Sequence, residues 1–408
     1  MAQSKIKVII IGANFAGINC AKYLTPSKFA VTVIDPQADF EWLPHIHELV
    51  SRQKRSEQLR HNRQQLIQRI GHNFIQDFVI NINKSLQTVT LANGHCLNYD
   101  HLVIAIGSQS SIGSVQGASE YAYAFNNIQD AEDIALKIQR LDSLSLPSRP
   151  IVLIGAGIEG LEILGEMIRR YQRRWRFTVH IIDQSPVLLP KYLGLDAFIK
   201  KQCQHLDIQW HLACQVQEIT KDKVLLTNGK ILDSRLTLWC GGSKPHSLLS
   251  ESGLTPVGRH GQTTRYLQST ADSHIWLAGD CVDFPYPISK QAYHALPMGK
   301  LIAENIERVV EYKKPKIFRP LAIPSLMSFG DMGFLLGDTH ALATPSLIAA
   351  KEGVFQANFN LIQLPNSKHE WIMAKNSLQA SLLNMAQLAK DAWLSQSLFN
   401  TRIFKATD

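Results

Sequence analysis

The chain has 408 residues, 45% hydrophobic and 19% charged, enough apolar material for two or three packed domains, and this excludes a disordered, collagen-like or disulfide-scaffold protein. A formal charge of +8 suits nucleic acid, an anionic membrane surface or anionic small molecules without choosing among them. Six cysteines with no CxxC pair speak against a zinc knuckle or an adjacent redox disulfide and predict a reducing, cytoplasmic compartment.

Residues 6–24, IKVIIIGANFAGINCAKYL, read as a buried strand, a glycine turn and a helix. The apolar start runs into the turn with no cleavage site after it, so it is not a signal peptide. No apolar run in the chain is long enough to span a bilayer, and any membrane contact is expected to be peripheral. A helix N-terminus behind such a turn offers free N–H groups and a positive dipole end to a phosphate. The next strand, 31–34, ends at Asp35, placed to accept hydrogen bonds from ribose hydroxyls. The full dinucleotide fingerprint is GxGxxG, and Asn14 stands where its second glycine belongs, between Gly12 and Gly17. A side chain there limits the approach of backbone to phosphate, so a nucleotide site and a turn serving only packing both stay open.

Segments 84–94 and 99–108 predict strand, turn and strand, with Asn93 and Gly94 at the hairpin. Residues 128–141 predict a helix with Ile128, Ala131, Ile134, Ala135 and Ile138 on its buried face. A Ser/Pro-rich connector follows. Residues 150–170 then repeat the strand, turn and helix with an intact fingerprint at Gly155, Gly157 and Gly160. The strand after it, 178–182, ends at Asp183, whose charge opposes a 2′-phosphate, so NADH is expected rather than NADPH. A helix near 195–205 and short strands at 208–212, 224–227 and 236–239 lead into Gly241 and Gly242. From Gln268 the chain is expected to return to the first lobe through strand 275–277, Gly279, Asp280 and a helix from Gln291 toward Val310. A basic segment, 313–319, opens a third region.

In combination these motifs resemble the two-dinucleotide flavoprotein reductases over roughly residues 5–310. YDHLVIAIGS at 99–108 resembles the strand and turn at the edge of their flavin domain, and IWLAGDC at 275–281 resembles their second flavin motif. Within that superfamily the chain is most similar to type II NADH dehydrogenases: FEWLPHIHEL at 40–49 resembles their flavin-side segment, FGDMGF at 329–334 with Gly337 the opening of their third domain, and Gly160-Leu161-Glu162 the place where they keep a Glu beside nicotinamide and flavin. The resemblance implies an α/β fold with two Rossmann-like domains, for FAD and NADH, and a smaller C-terminal α+β region. It implies FAD domain parts at 1–118 and 244–315, an NADH domain at 119–243, and an acceptor, membrane-contact or dimerisation region at 316–408. FAD would be held by Gly12, Asn14, Ala16, Gly17, Asp35, Pro44, Ala105, Gly107, Gly279 and Asp280; NADH by Gly155, Gly157, Gly160, Glu162, Asp183 and Gly241.

The implied chemistry is hydride transfer from NADH to the flavin and then two electrons to a quinone. Glu162 either orients the carboxamide or relays a proton, the competing reading being a surface or capping carboxylate. The family pattern AQxAxQ is replaced here by AYHALP at 292–297, which leaves the acceptor open: Tyr293 and His294 face it or merely start a helix, and His45 or His47 lines its cavity. A soluble reductase of a carrier protein or small oxidant, and a non-catalytic redox sensor, compete with quinone reduction. His45, His47 and Glu48 are read as packing near the flavin rather than as metal ligands, and Cys281 as a small buried residue. The basic runs at 52–69, 169–176 and 313–319 lack aromatic platforms and read as solvated faces, with membrane attraction as the alternative and no nucleic acid. Residues 377–404 predict an amphipathic helix that lies on a membrane, docks on its own domain or forms a homodimer interface.

Overall fold

The computed structural model describes residues 4–146, 148–285, 288, 290–320, 323–362 and 401–407. Two five-stranded parallel sheets carry the two glycine turns. In the first, the strands run in the order Ile275–Leu277, His101–Ile104, Ile6–Ile11, Phe29–Ile34, Asn73–Ile75. In the second, the order is Ala122–Ala124, Leu236–Trp239, Pro150–Ile154, Thr178–Ile182, Ile208–His211. The strand that feeds each turn is central and covered on both faces, which is why 8–11 and 150–154 are unbroken apolar runs with every residue buried. The two lobes are joined by a short antiparallel pairing of Gln109–Ser110 with Ser243–Lys244.

The chain from 128 forms the expected helix, Ile128–Ser143, with all five predicted apolar residues buried. The 84–108 segment departs from expectation. The strand that pairs across Asn93 and Gly94 with Thr88–Leu91 is Cys96–Asn98, and a third strand, Val79–Asn83, completes that antiparallel sheet. His101–Ile104 instead enters the parallel sheet beside Ile6–Ile11, with all four of its residues buried.

The third region is a four-stranded antiparallel sheet, Ser325–Phe329, Met332–Leu336, His340–Thr344 and Arg402–Lys405, with helix Ser346–Ile362 against it. The predicted helix 377–404 lies outside the described residues as far as 400. Its end is a strand: Arg402–Lys405 adds to the edge of His340–Thr344, where it satisfies backbone groups a helix would leave unpaired. Among the described residues no helix is long and apolar enough to cross a membrane.

Candidate functional site

Both glycine turns are built the same way. Gly12 (φ 94°) and Gly155 (φ 97°) take a backbone conformation that L side chains rarely adopt, and a Cβ on either would collide with the carbonyl of Ala105 or Cys240. Gly17 and Gly160 sit over the carbonyls of Gly12 and Gly155, so a side chain at either would push its helix off the strand. Gly157 by contrast has open space where a Cβ would lie, the room a pyrophosphate needs.

The two acidic strand ends clamp these turns. Asp35 Oδ2 accepts from Ala13 N–H at 2.7 Å and Asp183 Oδ2 accepts from Ala156 N–H at 2.7 Å. Their other oxygens accept from Gln37 N–H and Ser185 N–H. A carboxylate offers about four lone-pair sites, so Asp183 keeps capacity for ribose hydroxyls while holding the turn. Asp35 is more committed, since Arg63 Nη1 also donates to its Oδ1 at 2.8 Å and Arg63 Nε donates to Ala13 carbonyl. Arg63 is 4% exposed. The basic run 52–69 is therefore not simply a solvated face: Arg63 and Lys54 are buried by carboxylate partners that no local pattern reveals.

The first turn fits FAD. Asn14 caps helix Phe15–Tyr23 through its backbone position alone, with a side-chain Oδ1 that is buried and unpartnered; as an amide's two ends are interchangeable, it presents a donor that a phosphate oxygen would satisfy. Gly279 (φ 76°) brings the second flavin motif against Ala16. Asp280, whose carboxyl burial pushes up, opens with Lys290, Gln291, His294 and Met298 on a cavity of about 450 Å³. Gly107 (φ 66°) leaves open space, Pro44 is half-buried in the short turn Leu43–His45, and Gly241 lies against the Trp239 ring at the crossover between lobes, its carbonyl bonded by Ser111 Oγ at 3.0 Å.

Glu162 is neither a surface nor a capping carboxylate. It is 7% exposed, and Lys351 from helix Ser346–Ile362 donates to its Oε1 at 2.5 Å while Ser328 N–H donates to the same oxygen at 3.0 Å. Lys351 Nζ is also 3.1 Å from His47 Nε2. A lysine only donates, so Nε2 accepts and the ring proton sits on Nδ1, which faces Glu162 Oε2 at 3.5 Å. Burial and then the Lys351 charge hold His47 well below the ordinary histidine pKa, consistent with a neutral ring. The network thus joins the helix after the second turn, the flavin-side segment and the third region. Lys351 and Ser328 carried no sequence signal, because their partners lie more than 150 residues away.

The three acceptor candidates are not brought together. His294 is buried and lines the Asp280 cavity, and Tyr293 precedes it half-buried, its phenol pushed up by burial. His45, 2% exposed, does not line that cavity; its ring is 4.7 Å from Phe355 and its Nδ1 accepts from Trp42 Nε1 at 3.0 Å. Ligand atoms of His45, Glu48 and Glu352 come within 4.8 Å of one another. The Trp42 donor, however, places the His45 proton on Nε2 and leaves no lone pair for a cation, while Lys54 pairs with both carboxylates at 3.5 and 2.6 Å. All six cysteines are free; Cys281 is fully buried with its thiol pushed up to about 12 by burial, and Cys20 is raised likewise.

Residues 6–299 match the family model described as pyridine nucleotide-disulphide oxidoreductase. Ferroptosis suppressor protein 1 of Xenopus tropicalis is 26% identical over 80% of this chain and 87% of that protein. A type II NADH:quinone oxidoreductase of Staphylococcus aureus is 21% identical over 83% and 91%. In structure, the chain is similar to NDH2 from Plasmodium falciparum solved with NADH, with a TM-score of 0.74 at 17% identity over 82% of this chain and 90% of that one.

Proposed function

Because the chain belongs to the pyridine nucleotide-disulphide oxidoreductase family, with FAD and NADH as its cofactors, we propose that it is an NADH:quinone oxidoreductase of the type II class. The observation that carries this reading is the buried Glu162, Lys351, His47 and Ser328 network at the meeting of three chain regions, in a protein whose described cysteines offer no disulfide to reduce. Bound FAD would supply the two-electron redox chemistry between NADH and the acceptor. The chain supplies position and charge. Asp183 holds the adenosine ribose of NADH and Asp280 the ribityl chain of the flavin. Lys351 holds a proton at Nζ against Glu162 Oε1, and a two-electron reduction of a quinone to a quinol consumes one proton beyond the hydride. Peripheral association with a cytoplasmic membrane face, and pairing into a homodimer, belong to the same reading. Tyr293 and Pro297, standing where the family's quinone pattern has Gln, favour a second reading, a soluble reductase of a carrier protein or small oxidant.

The test is anaerobic reduction of the yellow protein by NADH followed by rapid mixing with a short-chain quinone, read as return of flavin absorbance. Quinone-dependent return supports the proposal. Reduction by NADH with no reoxidation by quinone overturns it in favour of the second reading. Lys351→Met leaves Glu162 buried without its cation and is expected to slow the reoxidation step at least tenfold while the protein still binds FAD.

A further inference from the structure

The Glu162 network continues outward through charged side chains that the proposed reaction has not used. Glu48 Oε1 lies 3.9 Å from His47 Nε2, the same ring nitrogen that accepts from Lys351. The other Glu48 oxygen is 3.5 Å from Lys54 Nζ, and Lys54 donates to Glu352 Oε2 at 2.6 Å. The side chains of His47, Glu48 and Lys54 are at most 13% exposed, whereas Glu352 is 39% exposed. The line therefore runs from the interior to solvent. Buried Phe355 holds its ring centroid 4.6 Å from Lys54 Nζ and walls that step from bulk water.

His45 adds an independent observation. Its Nε2–H is buried with no hydrogen-bond partner among the described residues, and a nitrogen of that ring lies within 4.8 Å of the Glu48 and Glu352 carboxylates. Buried donors are normally satisfied; one water beside Glu48 gives this one a partner and links Glu48, Lys54 and Glu352. A second line of charges also leads outward: Glu166, one turn after Glu162, pairs with Arg169, which pairs with exposed Asp331 at 3.0 Å. A guanidinium does not give up its proton in a protein, whereas an ammonium can. Of the two lines, the one through Lys54 conducts.

We infer that Glu48, Lys54 and Glu352 bring solvent protons to the Glu162, Lys351 and His47 network, with Glu352 as the point of entry. The inference rests on the reading that this network supplies the proton that completes a quinol. In that step an N–H bond of Lys351 breaks and an O–H bond forms on the quinone. The Glu48 carboxyl then gives its proton to His47 Nε2, and Nε2 passes it across 3.1 Å to the Lys351 amine. The ring regains its Nδ1–H form, having been steadied as a cation by Glu162 Oε2 at 3.5 Å. Burial pushes the Glu48 carboxyl up, which suits a proton carrier. Glu48 is refilled from Lys54, Lys54 from Glu352 and Glu352 from solvent. One proton enters per quinol, and no electron moves along the line.

The experiment starts with the oxidised, FAD-loaded protein in the absence of NADH and quinone. Nuclear magnetic resonance on isotope-labelled lysines reads how fast the Lys351 ammonium protons exchange with water, and Lys351→Met identifies the signal. Two variants, Glu352→Gln and the charge-keeping Lys54→Arg, are each expected to slow that exchange about tenfold. Both are also expected to slow reoxidation by quinone about tenfold while flavin reduction by NADH is unchanged, and added imidazole is expected to restore the Glu352→Gln rate as a substitute proton donor. Exchange as fast as in wild type, or faster, in both variants overturns the inference, because a merely structural loss admits water instead of withholding protons. Slow reoxidation that imidazole leaves unchanged overturns it as well. The acceptor is judged separately: if quinone does not reoxidise wild type while both variants slow exchange, the proton path is supported and only the quinone reading falls.

Discussion

Asp35 shows how one residue carries a role that its position in the sequence only half discloses. Its place at the end of Phe29–Ile34 predicts a ribose contact; in the structure its carboxylate receives the Ala13 N–H and the Arg63 guanidinium. Arg63 reaches across to the carbonyls of Ala13 and Gln37 as well. Burial works against its charge, while Asp35 supports it first among the nearby acids. Removing the cation would leave a buried carboxylate and two carbonyls without donors. Arg63→Ala is therefore expected to lower unfolding free energy by about 3 kcal/mol, and Arg63→Lys to recover only part of that because an ammonium lacks the planar fork. A shift in denaturant midpoint at unchanged slope measures it; a loss below about 1 kcal/mol would mean that water replaces the guanidinium.

Helix Ile158–Tyr171 does two jobs along its length, and its burial pattern reflects both. Its first turn closes on the second glycine turn, while from Gly160 to Ile168 every residue is buried. An amphipathic surface helix would alternate; this one is covered on both sides because strand Ser325–Phe329 lies on its outer face. The contact is close enough that a Cβ on Gly165 would strike Gly330 N and the Phe329 backbone. Arg169 adds bonds to Asp331 and the Gly330 carbonyl, and Arg170 to the Ser51 carbonyl. Gly165→Val is expected to cost about 2 kcal/mol by overpacking and to slow flavin reoxidation by separating Lys351 from Glu162. Thermal unfolding and the rapid-mixing assay read the two effects separately. Normal stability would place the side chain in a gap the packing does not suggest.

At the scale of the molecule, the third region is fastened at both its ends. The strand Ser325–Phe329 packs on helix Ile158–Tyr171, and the chain end returns to the same lobe: Leu193 N–H donates to the Lys405 carbonyl at 2.9 Å and Thr407 N–H to the Lys191 carbonyl at 2.7 Å. Between them Arg402–Lys405 completes the sheet beside His340–Thr344. Deleting residues 401–407 would expose a strand edge and free segment 191–193. Hydrogen exchange at His340–Thr344 is expected to accelerate by at least an order of magnitude, roughly what losing more than one kcal/mol of local protection produces. Unchanged exchange would show that the remaining three strands hold the edge without it.

What the sequence alone determined is whatever depends on neighbours a few positions apart. The strand, turn and helix of each half, the glycines at 12, 17, 155 and 160, the acid at each strand end and the helix at 128 were legible because sterics, periodicity and phosphate chemistry act locally. The tertiary structure decided the rest. It took His101–Ile104 out of a hairpin and into a sheet, turned residues 402–405 into an edge strand, buried Arg63 and Lys54 from a run that looks solvated, enclosed His45 against Phe355, and met Glu162 with Lys351 from 189 positions away. The physical reason is desolvation: a charge loses far more on burial than any local preference returns, so its fate is set by whichever distant group arrives to pair with it.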